Sequence, residues 1–379
     1  MALLCLLSLA ACKKEGNLTG SSSNPEDNLS ENDDFGRNTG SQQFLFTQSN
    51  QTSQNSLLVY KRTPTGQLQY FGTYLTGGTG TGGGLGNQGA VTITENGRAV
   101  IAVNAGSNSI SIFKITPHGL RLACTVGSGG IRPVSVTQSG RFVYVLNAGG
   151  DGNISGFTVD AQFQLEPINN SIRPLSSNMA GAAQISFTRN GKVLVITEKA
   201  TNKIISYTVN NYGIPESMHS ITSANSTPFG FASGKFGNIY VSEAAGGSPN
   251  ASTVSSYKIS PTGNITLTDG PVATNQTAAC WVVLTKNNRY AYTTNTASNT
   301  ISSFAIHPLS GNTVLQNSIA STSQAGPIDA SISKNSKFLY VLNGTAHSIS
   351  SYTISTSGAL NLIQTIEGLP MGANGLASE

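Results

Sequence analysis

The chain has 379 residues, of which 10% are charged, against roughly 25% in ordinary globular proteins. Its 42 Gly and 14 Pro, scattered among short β-branched and aromatic runs, predict many strands and tight turns, and no long stretch carries apolar residues at helical spacing. The net charge of +4 divides into −3 over residues 13–42 (three bases, six acids) and +7 over the rest (18 bases, 11 acids). Those bases are spread singly, with no stripe interleaved with aromatics, which excludes a nucleic-acid-binding surface.

Residues 3–11, LLCLLSLAA, form an apolar run followed at once by Cys12. The run is shorter than the roughly 20 residues a membrane-spanning helix needs, but it suits a secretory signal with a small-residue cleavage site. Leu9-Ala10-Ala11-Cys12 resembles a bacterial lipobox, which implies cleavage after residue 11 and lipidation of Cys12. The run departs from that pattern in having no Lys or Arg before it, so the true start can lie upstream of Met1. By the same resemblance Lys13, where an Asp would retain a lipoprotein at the inner membrane, favours the outer membrane. Residues 13–42 are polar and acidic, with too little apolar surface to offset ordering entropy, and are expected to be a disordered tether. Cys124 and Cys280 then remain, on distant strands, with no disulfide or metal-binding pattern.

From Gln43 to the end the sequence repeats. A Gly-Arg/Lys turn, a strand ending in Asn or Glu, about nine residues and a second strand ending on an aromatic recur as GRAVIAVNAGSNSISIF at 97–113 and GRFVYVLNAGGDGNISGF at 140–157. Further copies lie at 191–207, 288–304 and 336–352, with a looser one at 237–257 and a divergent one at 44–60. The strand-end residues Asn104, Asn147, Glu198, Glu243, Asn295 and Asn343 are 43 to 52 apart, a period characteristic of propeller blades. An apolar strand before each Gly turn and a fourth strand after it give four per blade. Residues 43–379 divide into seven blades of about 48 residues. The first copy lacks an inner strand before Phe44, and Ala373–Ala377 reads as the strand that completes it and closes the ring. The expected architecture is therefore an all-β, seven-bladed β-propeller over 43–379, with a signal peptide over 1–11 and a tether over 12–42.

These repeats resemble the lactonase-type seven-bladed propeller family, which includes 6-phosphogluconolactonases and carboxymuconate-lactonizing enzymes, and the related YVTN-repeat surface proteins. Asn147-Ala148-Gly149-Gly150, close to the family's Asn-Tyr-Gly-Gly, is the most specific local match. The resemblance implies a ligand face at the ends of the second strands and the starts of the innermost ones. That face would gather Asn104, Asn147, Glu198, Glu243, Asn295 and Asn343 in a ring around the channel mouth, with Arg132, Trp281 and Asp329 near the inner-strand starts. Asn at such ends has a second explanation, since its side chain caps turn backbone and tolerates left-handed geometry.

Lactone opening needs a group that positions or deprotonates water and a donor for the developing oxyanion. By resemblance Glu243 holds the family's catalytic carboxylate position. Its Arg and His partners are replaced, by Thr227-Pro228-Phe229-Gly230 at the head of that blade, by Asn295-Thr296 on the next, and by Ala183 or Gln184. The histidines His118, His219, His307 and His347 fall in turns and outer segments. Glu198 and Glu243, on adjacent blades, make a two-carboxylate site for a cation or sugar conceivable. The Gly-rich run Thr76–Gly86 lacks the Lys-Ser/Thr of a phosphate loop and is expected to be a flexible inter-blade connection. The sequence thus points to a monomeric, membrane-anchored extracytoplasmic binding or interaction module that takes a protein or carbohydrate ligand and requires no cofactor or metal. A lactone hydrolase and a structural cell-envelope protein are the alternatives.

Overall fold

A computed structural model describes residues 42–379; the expected signal peptide, Cys12 and all of the acidic segment except Gln42 lie outside the described residues. Seven antiparallel sheets follow one another as blades. The inner strands of neighbouring blades pack side by side from blade one round to blade seven and back, so the ring is complete. Blade one is assembled from both ends of the described chain: Asn374–Ser378 is its inner strand, followed outward by Gln43–Gln48, Ser56–Arg62 and Leu68–Leu75. The pairing sets Phe46 opposite Ala377 and Thr47 opposite Leu376, so that Gln43–Gln48 is paired on both sides. Closure thus follows the strand read from the sequence.

Blade three departs from the regular plan. Its outer edge is broken into Leu165–Pro167 and Arg173–Pro174, which both pair with Asn153–Val159. Pro167 and Pro174 cannot donate to a ladder, so the edge is where such a break is tolerated.

The core lies between blades rather than within a single layer. The aromatic near the end of each third strand (Tyr60, Phe113, Phe157, Tyr207, Tyr257, Phe304 and Tyr352) is buried. Such a side chain removes about 150–250 Å² from water, which makes it the main apolar contribution of each blade. The polar residues that alternate with the apolar ones are buried as well, for example Ser109 and Ser111, because each blade is covered on both faces. Second-strand tyrosines add latches to the next blade: Tyr292 Oη donates to the Gly358 carbonyl at 2.8 Å, and Tyr340 Oη to that of Gly66 at 3.1 Å. The second of these joins blade seven to blade one and reinforces ring closure.

Candidate functional site

The strand-end residues converge on a common local design. Three of the four asparagines turn their amides onto hydroxyls of the following strand of their own blade, five and seven positions on. Asn104 donates to Ser109 and Ser111, Asn295 to Thr300 and Ser302, and Asn343 to Ser348 and Ser350, at 2.8–3.2 Å. Asn147 follows with Ser155, and with Asn153 at 2.8 Å. All four are fully buried. They tie second strands to third strands, and none of them lines the central cavity described below. The ring of amides at a ligand mouth expected from the sequence is in fact a set of internal blade clasps.

Glu243 belongs to the same design with a carboxylate in place of the amide. Its Oε1 accepts from Ser223 Oγ at 2.7 Å and Tyr257 Oη at 3.0 Å, and its Oε2 from Thr253 Oγ1 at 2.5 Å and Ser255 Oγ at 2.7 Å. Four donors fill the roughly four lone-pair sites of a carboxylate, leaving none to orient a water. Burial, and then the Glu243 charge, push the Tyr257 phenol well above the ordinary tyrosine range, which keeps it a donor. Glu198, also buried, is held by the backbone N–H and hydroxyl of Ser176 and by Thr201. The two carboxylates therefore sit in separate cages, each built from its own surroundings.

The mouth next to these residues is filled. The loop after blade one, which the sequence suggested was a flexible connection, packs closely and then crosses the channel. Gly80 has no room for a side chain, since a Cβ would come within 2.2 Å of the Asn50 backbone. Leu85 is buried, and beyond it the Gly86 carbonyl accepts from Lys199 Nζ, the Asn87 carbonyl from Trp281 Nε1 at 2.7 Å, and the Asn87 amide donates to Val134. Gln88 spans furthest: its backbone N–H reaches Ala183 at 3.1 Å on blade four, and its side-chain amide reaches Val282 at 3.1 Å on blade six.

Around this plug Phe229 and Trp281 meet with ring centroids 4.8 Å apart, and Lys199 Nζ lies 4.6 Å from the centre of the Phe229 ring. Burial lowers the Lys199 ammonium to about 8, with Cys280 opposing and Arg132 adding to the shift. Burial pushes the Cys280 thiol up to about 12. Of the remaining expected mouth residues, Arg132 is exposed at the head of blade three, Trp281 is buried in the plug, and Asp329 lies in the channel wall below it. No disulfide joins Cys124 and Cys280, and among the described residues no group of three potential metal ligands occurs.

Beneath the plug the channel widens into a cavity of about 900 Å³, within the range of small-molecule sites. Gln88, Gln184, Ser186, Ser331 and Asp329 are among the residues in its wall. It reaches the opposite face of the ring, where the turns between first and second strands bring Glu95, Arg189, Lys286 and Lys334 to the rim, with Glu379 beside them after the inner strand of blade one. Neither Gln88 nor these cations stood out in the sequence reading. The available signal was the recurring Thr/Ser-x-Asn of the inner turns, at Thr94–Asn96, Thr188–Asn190, Thr285–Asn287 and Ser333–Asn335.

The family described as lactonase, seven-bladed β-propeller, matches residues 41–174 and 252–372. The chain belongs to that family. The stretch between the matched segments, 175–251, holds blade four and the first two strands of blade five, and with them Glu198, Lys199, Phe229 and Glu243. No curated protein matches this lactonase-family chain. Among solved structures, a Lactobacillus plantarum protein superposes with a TM-score of 0.73 at 17% identity, covering 89% of this chain and 99% of its own. A Bacteroides fragilis protein provisionally named 6-phosphogluconolactonase gives 0.72 at 17% identity, over 90% and 99%. The periplasmic gluconolactonase of Pseudomonas aeruginosa gives 0.71 at 15%, over 88% and 98%. At these identities the likeness is one of fold, and a fold carries many functions.

Proposed function

We propose that this lactonase-family propeller is an exported, lipid-anchored module that binds its ligand without hydrolysing it. The observation that carries the reading is the Glu243 cage: the carboxylate that the resemblance sets at the family's catalytic position has both oxygens occupied by Ser223, Thr253, Ser255 and Tyr257. The plug over the adjacent mouth supports it further, since Trp281 and Phe229 pack together and are buried there. The anchoring part rests on Leu9-Ala10-Ala11-Cys12 and on the acidic composition of the segment that follows.

The test is a thermal-shift screen of lactones, sugars, sugar acids, peptides and divalent ions, followed by recovery of any stabilising compound. A ligand that raises the melting temperature and is recovered unchanged supports the reading. A lactone recovered as its hydroxy acid overturns it. Hydrolysis is the second reading, favoured by family membership and by the likeness to a periplasmic gluconolactonase. It would require a water-positioning group other than Glu243.

A further inference from the structure

The rim of the channel on the face away from the plug carries three cations against two carboxylates, Glu95 and Glu379, and Lys334 favours the charged form of Glu379. Arg189, Lys286 and Lys334 each take the middle position of a Thr/Ser-x-Asn turn, on blades four, six and seven. In these turns the Thr188, Thr285 and Ser333 hydroxyls donate to Asn190, Asn287 and Asn335 at 2.7–2.8 Å. The residue after each Asn (Gly191, Asn288, Ser336) has φ of 59–68°, so the turn is fixed and its middle residue is presented at the rim. The three are near enough to interact: Lys286 is held below the usual lysine range by desolvation at the mouth and then by Arg189 and Lys334.

Among the described residues none of these three side chains has a hydrogen bond or ion pair. The carboxylates nearby are engaged: Glu95 accepts from Ser139 Oγ and Gly140 N–H at 2.8 and 2.9 Å, and Glu379 from Phe44 N–H at 2.9 Å. Behind the rim the wall offers the hydroxyls of Ser186 and Ser331 and the amide of Gln184. Asp329, the carboxyl in that wall, accepts the Ala330 N–H at 2.8 Å, and burial favours its neutral form, so it does little to repel an anion.

We propose that this mouth binds a small hydroxylated organic anion of the uronic-acid class. Arg189, Lys286 and Lys334 take the carboxylate, and the polar lumen takes the hydroxyls. The proposal assigns a ligand class to the binding reading above and rests on it, but it uses the face opposite the Glu243 cage. Arg and Lys at a concave, partly desolvated mouth suit a carboxylate, and the focused field raises its local concentration.

The experiment is calorimetric titration of the soluble chain from Lys13 onward with trigalacturonate, maltotriose and inorganic phosphate. The same titrations are run on Lys286→Met/Lys334→Met and on Glu95→Gln, all rim changes. The expected result is that trigalacturonate binds, maltotriose does not, and phosphate binds more weakly. The double variant should lose at least about tenfold in affinity, as removal of charge-assisted contacts implies, while Glu95→Gln loses none. Absence of trigalacturonate binding, binding unchanged in the double variant, or phosphate binding as tightly as trigalacturonate each overturns the proposal. If trigalacturonate fails while another compound stabilises the chain and is recovered intact, this site is refuted and the binding reading stands. If trigalacturonate binds as expected and lactones are also hydrolysed, the site stands and the binding-only reading falls.

Discussion

Gln88, on the lead-in to blade two, donates its side-chain amide to the carbonyl of Val282 on blade six, 3.1 Å away. These blades are not neighbours in the ring, so the bond crosses the channel axis and closes the mouth that the family resemblance assigns to ligand. Gln88 Oε1 also accepts the Val282 N–H, at 3.4 Å.

The plug can be followed through the chain's single tryptophan. Trp281 is 4% exposed and donates to the Asn87 carbonyl in the same plug. Native emission should be blue-shifted and nearly insensitive to acrylamide. Gln88→Ala, which loses the cross-channel bonds and leaves partners unsatisfied, should raise the quenching constant about twofold or more and lower stability by about 1–3 kcal/mol. Equal quenching in both proteins would mean that the mouth is open in solution.

Lys199 predicts a pH dependence. Its ammonium is lowered to about 8, chiefly by burial, from the 10.5 of a solvated lysine. Between these values the unfolded chain holds more protons than the folded one, so this group makes stability rise with pH from about 8 to about 10.5. Cys280, raised to about 12 by burial, acts in the opposite sense above about 9 and is common to both proteins in the comparison. The melting temperature of the parent minus that of Lys199→Met should therefore increase between pH 8 and 10. A constant difference would show that Lys199 titrates normally.

Ring closure predicts an asymmetry between the chain's ends. Leu376 is buried with Leu45, Leu369 and Ala373, so Leu376→Ala should cost about 2–5 kcal/mol in denaturant unfolding. Deleting 370–379 removes the inner strand of blade one and should abolish cooperative unfolding, whereas deleting 13–41 should leave the melting temperature within a degree or two. Equal, small effects of the two deletions would contradict closure through Asn374–Ser378.

The anchor is tested at Cys12. Cys12→Ala should eliminate labelling by a palmitate analogue and leave the protein soluble or as uncleaved precursor. Persistent labelling with membrane association would refute the lipid anchor.

Much of this fold was legible because a blade imposes a period. The Gly turns, strand-end Asn and Glu residues and third-strand aromatics recur at 43 to 53 residues, and the missing inner strand before Phe44 points to Ala373–Ala377. The site was less legible, for physical reasons. A strand-end Asn reads alike whether its amide faces a channel or a hydroxyl of its own blade, and only the pleat and the next blade decide. Ser111 lies seven residues after Asn104 in the repeat, but its role as the amide's partner depends on burial of both blade faces. The run Thr76–Gly86 has no periodicity, so nothing local showed that the residues after it cross the axis. The cations Arg189, Lys286 and Lys334 are isolated in sequence and meet only because the ring brings equivalent turns together.

The central claim is that the chain keeps the lactonase fold while its Glu243 has become a structural carboxylate. The most direct measurement is a continuous pH-stat assay of parent, Glu243→Gln and Glu243→Ala on 6-phosphogluconolactone and simple γ- and δ-lactones, with a denaturation curve for each. The account predicts no turnover above the buffer rate in any of the three. It also predicts that Glu243→Ala, by stripping the partner from four buried hydroxyls, loses several kcal/mol of stability, on the order of 3 or more. Turnover in the parent that Glu243→Gln abolishes while its denaturation curve stays in place would contradict it.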